Sequence, residues 1–168
     1  VLTEGTNSTI LPIYEFAAHY LVKALKEEVG DKQRIRLLDL GSGTGAGSSR
    51  LVNFYSGESI TCIEQSSAML RVALYKFCEL KQKDEEKLVK EVGQLFEGSI
   101  PERLVAYWQD KRNEMIDRKG TVHFVEGDLR EIESLVRGEY DGAIANHSLH
   151  WLDQDLLSFF TSFYDVLK

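Results

Sequence analysis

The chain has 168 residues, 43% hydrophobic and 28% charged, and its 20 Lys+Arg against 27 Asp+Glu give a net charge of −7. This length and balance suit one domain with a buried core and exclude a disordered or collagen-like chain. The acidity disfavours nonspecific binding to nucleic acid, and no apolar run approaches the ~20 residues that a membrane helix needs.

A helix is expected first. Ile13, Phe16, Ala17, Tyr20, Leu21, Ala24 and Leu25 recur at spacings of three and four, with Pro12 in the first turn and Gly30 at the exit. The short apolar run Ile35 to Leu40 reads as a first strand. It enters Gly41-Ser-Gly-Thr-Gly-Ala-Gly47, and a helix through Leu51, Val52 and Phe54 leaves it. A second strand, Ser59 to Ile63, ends on Glu64. One long helix is expected from near Ser66 to near Gly93, and another from Ser99, where Ser99 and Glu102 have capping-box spacing. A third strand spans Val122 to Val125, and a short helix holds Ile132, Leu135 and Val136. A fourth strand runs Tyr140 to Asn146, and a last helix is expected from Asp153 as N-cap.

Strands alternating with helices argue for an α/β fold with a parallel sheet covered on both faces. Residues 76–120 stand apart, with ten basic and ten acidic residues between two strands that one helix usually joins. They read as an inserted helical pair. Its charges form a solvated, salt-bridged layer, or alternatively a cap over the substrate site or a surface for a protein partner or an oligomer contact. The fourth strand would be an open edge, so the C-terminal part of the fold is expected to be missing. Position 1 is Val, and the first residues are likewise expected to be missing. Cys62 and Cys78 have no disulfide or metal spacing, no metal site is expected, and no signal peptide is seen; the expected location is cytoplasmic.

The glycine loop between strand and helix is a ligand-binding context, because glycines admit sharp turns and close approach of a ligand to the backbone. The pattern Gly41-x-Gly43-x-x-Ala46 by itself also fits a dinucleotide fingerprint. Asp39, two residues before the first glycine, discriminates: it suits a cationic amino group and not a pyrophosphate. It could otherwise simply cap loop N–H groups. Glu64 can accept from ribose hydroxyls, or serve as a helix N-terminal charge. Asp128 can accept from an exocyclic amino group, or be a turn residue after Gly127. All three acids stand at carboxyl ends of expected parallel strands and so share one rim.

Taken together, Leu38-Asp39-Leu40-Gly41-Ser42-Gly43-Thr44-Gly45, Glu64-Gln-Ser-Ser-Ala-Met-Leu70, Glu126-Gly127-Asp128-Leu129 and Tyr140-Asp141-Gly-Ala-Ile-Ala-Asn146-His147-Ser-Leu-His-Trp151 resemble the four ordered motifs of class I S-adenosylmethionine-dependent methyltransferases. The resemblance implies a Rossmann-like three-layer αβα sandwich over residues 1–168, with S-adenosyl-L-methionine as cofactor. It implies that Asp39, Gly41, Ser42, Gly43 and Gly45 hold the methionine portion, and that Glu64 binds the ribose. Gln65 and Met69 would flank the adenine, with Asp128 and Leu129 beside them. Asn146 and His147 would face the methyl end. The Leu-His-Trp ending is similar to that of methyltransferases acting on small carboxylates. The family's sheet has seven strands, of which four are readable here, and its usual crossover is shorter than 76–120.

The expected activity is methyl transfer to a small-molecule acceptor. A carboxylate acceptor needs no base, whereas an alcohol or amine would gain from one, for which His147 and His150 are the candidates. Trp151 and Tyr20 are read as packing residues, and Tyr14 as a residue able to close over the cofactor. Two other readings remain open here: a noncatalytic protein-interaction module, motivated by 76–120, and an NAD-binding oxidoreductase, motivated by the glycine pattern.

Overall fold

Leu37, Leu38, Asp39 and Leu40 are all buried, as befits a strand covered on both faces of a parallel sheet. In this computed structural model the described residues are 11–29, 35–54, 59–94, 96, 98–118, 121–146 and 148–167. In chain order they form α1 (Leu11–Val29), β1 (Arg36–Leu40), α2 (Ala46–Phe54), β2 (Ser59–Glu64), α3 (Ser67–Lys76), α4 (Gln82–Gln94) and α5 (Glu102–Met115). These are followed by β3 (Val122–Glu126), the single turn α6 (Ile132–Leu135), β4 (Gly142–Ile144) and α7 (Leu156–Tyr164), with short 3-10 turns at 116–118, 129–131 and 149–155.

The sheet is parallel, in the order β3-β2-β1-β4. Alternation along β1 feeds two cores. Leu37 joins Ala18, Val22, Leu25, Leu51, Val52, Cys62 and Phe77 on one face. Leu38 and Leu40 join Ile63, Leu129, Ile132, Tyr140, Phe159 and Phe163 on the other. The result is the expected three-layer arrangement. The order reverses direction between β1 and β4, and the crevice outside the carboxyl ends at such a point is where open α/β sheets bind ligands.

Several elements differ from expectation. The helix α1 buries Ala18, Val22 and Leu25, while Ile13, Phe16 and Tyr20 are exposed. The inward face is Ala18, Leu21, Val22 and Leu25, which shares only Leu21 and Leu25 with the expected stripe, and these two close over Gly142 of β4. The expected packing role of Tyr20 is therefore corrected. The long helix is two helices. The chain leaves α3 through Cys78, in the left-handed region at φ 61°, and Leu74 O accepts from both Glu79 N and Leu80 N. This turn lets Leu88 and Val92 of α4 fold back on Val72 of α3, beside Leu104 and Trp108 of α5.

The Ser99 capping box is absent. Pro101 is the N-cap of α5, and its carbonyl accepts from Leu104 N and Val105 N, which leaves Ser99 upstream of the cap. The fourth strand is shorter than expected because Asp141 Oδ2 accepts from Arg36 N, at 2.8 Å, and Tyr140 N turns to Val166 O. Tyr140 also makes an isolated parallel bridge with Leu167, beside β4. Asp153 does not cap the last helix. It sits at φ 42° inside the 3-10 turn, and α7 starts after Asp155.

Some charges of 76–120 pair near the surface, as in Asp84–Lys87 (3.2 Å) and Lys111–Glu114 (2.6 Å), and Glu91 reaches Arg71 of α3 (3.1 Å). Surface pairs are worth about 0–1 kcal/mol each, so the apolar cluster around Trp108, with Met115 in the sheet core, contributes more to holding the insertion in place. No described residue of 76–120 lines the cavity at the sheet edge, which corrects the expectation of a cap over the site.

Candidate functional site

Four strand ends converge on a cavity of about 670 Å³. Asp39 from β1, Glu64 from β2, Asp128 after β3 and Asn146 after β4 all line it, with Gly41, Ser42, Gly43, Gln65, Met69, Leu129 and His150. Gly45 is buried beside it instead. Its φ is +79°, and a Cβ there would stand 3.0 Å from Phe77 Cε2, so the missing side chain lets the loop seat closely on α3. His147 lies outside the described residues.

Glu64 organises the loop. Its Oε2 accepts from Gly43 N at 2.8 Å, and its Oε1 accepts from Ser66 N at 2.7 Å, beside the N-cap of α3. Ser42 N donates to Ile63 O (3.0 Å), which ties the loop to β2 a second time. Asp128 accepts from Gln65 Nε2 (3.1 Å), Arg130 N (2.9 Å) and Arg130 Nε (3.1 Å). Turn capping and a place on the cavity wall thus coexist in one carboxylate.

Asp39 is buried, and Ser48 Oγ donates to its Oδ2 at 2.5 Å. Burial pushes its carboxyl up to about 6; the hydrogen bonds from Ser48 oppose this, and the nearby Glu64 charge adds to it. Ser48 Oγ also lies 2.8 Å from Cys62 Sγ, whose thiol burial and the Asp39 charge push well up. The raised Asp39 value means that the folded state holds this proton more tightly than the unfolded chain. Its stabilising effect is full below about pH 4 and is lost as pH rises through about 6. At pH 7.5 we expect Asp39→Asn to stabilise the ligand-free chain by about 1–2 kcal/mol, and to gain less at pH 5. Urea melts at both pH values check this; equal gains at the two would show that ionisation is not the cause.

Sequence reasoning missed Ser148. Its Oγ donates to Leu40 O at 2.5 Å, and its Cβ would stand 2.2 Å from a Cβ added to Gly41, itself at φ +64°. The only signal was the run of glycines, which marks close approach without naming the partner. Trp151, read as packing, is 77% exposed and lines the cavity, because the 3-10 turn at 149–155 points Leu152 into the core instead. Tyr14 and Arg130 also reach the wall. Among the described residues no group of His, Cys, Asp or Glu could hold a metal ion. No described helix is long and apolar enough to cross a membrane.

The sequence profile of a family described as "Methyltransferase domain" matches residues 38–168, which is most of the chain and includes nearly all of the sheet. The chain belongs to this methyltransferase family. No curated protein matches the sequence of this methyltransferase domain. Among solved structures it is similar to an amino pentose methyltransferase from Micromonospora echinaspora with SAM bound, at 16% identity and TM-score 0.56, covering 92% of this chain and 47% of that one. It is also similar to the plantazolicin methyltransferase in complex with SAH, at 12% identity and TM-score 0.58, covering 96% and 45%. A third is the magnesium protoporphyrin IX methyltransferase from Synechocystis PCC 6803 with bound SAM, at 15% identity and TM-score 0.57, covering 98% and 62%. At these identities the likeness is one of fold. The methyltransferase domain described here spans about half the length of the first two chains.

Proposed function

We propose that this methyltransferase domain binds S-adenosyl-L-methionine along the rim of Asp39, Glu64 and Asp128, and transfers its methyl group to a small-molecule acceptor. The carrying observation is that these three carboxylates, from three successive strand ends, line one cavity together with a glycine loop. The residues fit the cofactor. Glu64 uses one lone pair of each oxygen on backbone N–H groups, which leaves acceptor capacity for two ribose hydroxyls. Asn146 Nδ2 is buried without a partner among the described residues, and this amide suits an acceptor on the ligand. Asp39 would hold the amino group. Met69 and Leu129 would sandwich the adenine, and Gln65 and Asp128 would meet its polar edge.

The cofactor, when bound, supplies a methyl group on a positively charged sulfur, so the protein's work is orientation. Gly41 and Gly43 let the backbone reach the ligand. His150 stands on the wall as a candidate to take a proton from an acceptor that must lose one. Calorimetric titration with S-adenosylhomocysteine tests the reading. We expect one site with a dissociation constant in the micromolar range, about −8 kcal/mol; no heat and no competition by the methyl donor would overturn it.

A further inference from the structure

Ser48 of α2 and Cys62 of β2 are fully buried, and neither lines the cavity. They nevertheless reach it through Asp39. Ser48 Oγ stands 2.5 Å from Asp39 Oδ2 and 2.8 Å from Cys62 Sγ. The direction of this chain follows from a proton count. An ionised carboxylate can only accept, so the single hydroxyl proton of Ser48 goes to Asp39. The thiol must then donate to Ser48. It can do so permanently, because burial and the Asp39 charge push its ionisation well up and keep the proton on sulfur.

The first turn of α2 sits directly on this carboxylate. A Cβ added at Gly47 would stand 2.9 Å from Asp39 Oδ2 and 3.2 Å from Asn146 Nδ2, and the backbone N–H of Ser48 donates to Asp39 as well. The hydroxyl and the N–H use two of about four acceptor sites, which leaves two for a ligand. Each bond from Ser48 favours the charged carboxylate against the burial that disfavours it. A second donor feeding that hydroxyl polarises it and strengthens the effect. Among the described residues, the titratable groups of β2 that face Asp39 are Cys62 and Glu64, and the Glu64 charge opposes ionisation. The start of α2 and the end of β4 offer Ser48 and Asn146, which do not titrate, while Tyr14 of α1 and His150 share the cavity.

We propose that Ser48 and Cys62 are positioning residues for the cofactor site: the thiol fixes the serine hydroxyl as a donor, and the hydroxyl holds the Asp39 carboxylate ionised and oriented for a cationic amino group. The role of Asp39 toward that amino group rests on the cofactor reading above, whereas the Cys62–Ser48–Asp39 chain does not. Losing a bond that favours the charged form raises the pH at which Asp39 ionises. A variant without the bond therefore loses affinity from the acid side first.

Two readouts test it. In the ligand-free chain the Asp39 carboxyl is followed by carbon NMR, its signal assigned through Asp39→Asn. The midpoint is expected near pH 6 in the parent, about 1 higher in Ser48→Ala and about 0.5 higher in Cys62→Ala. The double variant should match Ser48→Ala alone, because Cys62 acts only through Ser48. Ser48→Thr, which keeps the hydroxyl, should return to the parent midpoint. An unmoved midpoint in Ser48→Ala, or shifts that add in the double variant, would overturn the proposal; if Ser48→Ala does not fold, an unmoved midpoint in Cys62→Ala does so. In calorimetry with S-adenosylhomocysteine, Ser48→Ala should bind about five-fold more weakly than the parent at about pH 6, and within about two-fold of it at about pH 8. Equal losses at both would mark a purely structural role and overturn it as well. His150 is common to all variants, so its own titration cancels in each ratio. Failure of the cofactor reading shows separately, as no heat at either pH, while NMR still reads the Cys62–Ser48–Asp39 chain.

Discussion

Replacing Glu64 by Ala should weaken S-adenosylhomocysteine binding by about 100-fold or more in calorimetry. The lone pairs of the Glu64 carboxylate set this expectation. An ionised carboxylate offers about four acceptor sites, and the backbone N–H groups of Gly43 and Ser66 use two. Two ribose hydroxyls can take the others, each a charge-assisted bond worth about 1.5–3 kcal/mol. Alanine removes both, and it also frees Gly43 N and Ser66 N, so the loop loses its tether to the start of α3. Glu64→Gln separates the two effects. Its amide oxygen can still accept from one N–H, but its NH2 faces the other, donor against donor. We expect an intermediate loss of affinity with a smaller change in stability. If Glu64→Ala binds as the parent does, the ribose does not sit at β2.

Gly41→Ala should destabilise the fold by about 2–5 kcal/mol in urea unfolding. A left-handed residue with a Cβ costs about 1–2 kcal/mol, and forcing a methyl into filled space adds about 1–3 kcal/mol. Both conditions hold here, with φ at +64° and Ser148 Cβ 2.2 Å from the new atom. Relief by moving Ser148 breaks its bond to Leu40 O and shifts the turn that carries His150 and Trp151. The double variant Gly41→Ala, Ser148→Gly should recover the packing part and leave the backbone part. A cycle with no coupling between the two sites would show that Ser148 is not what Gly41 accommodates.

The sheet and the glycine loop were legible because their signals are local. Leu37, Leu38 and Leu40 form an apolar run too short for a helix, and glycines follow where the backbone takes positive φ at 41, 43 and 45. The rim of acids followed from parallel pairing alone. What was not legible depended on contacts distant in sequence. No Gly or Pro marks the break at Cys78; packing of Leu88 and Val92 against Val72 imposes it. The expected stripe of α1 was rotated from the buried one, because contact with α2 and Gly142 brings Ala18 and Val22 inward beside Leu21 and Leu25. Trp151 and Leu152 are neighbours of similar hydrophobicity, and the 3-10 turn decides which one is buried. Ser148 is 107 residues from Gly41, and no pattern within either segment joins them.

The helix α3 belongs to two neighbourhoods at once. Phe77, just past its end, is embedded in the sheet core, Val72 in the insertion's own cluster, and Met69 meets the cavity. The insertion is tied to both: Leu88, Val92, Leu104 and Trp108 pack with Val72 of α3, while Met115 at the end of α5 is buried in the sheet core. Loosening of α4 or α5 would therefore reach α3, whose Met69 lines the cavity. Amide exchange in the insertion and ligand residence time are therefore expected to share a common rhythm, although no described residue of that unit lines the cavity.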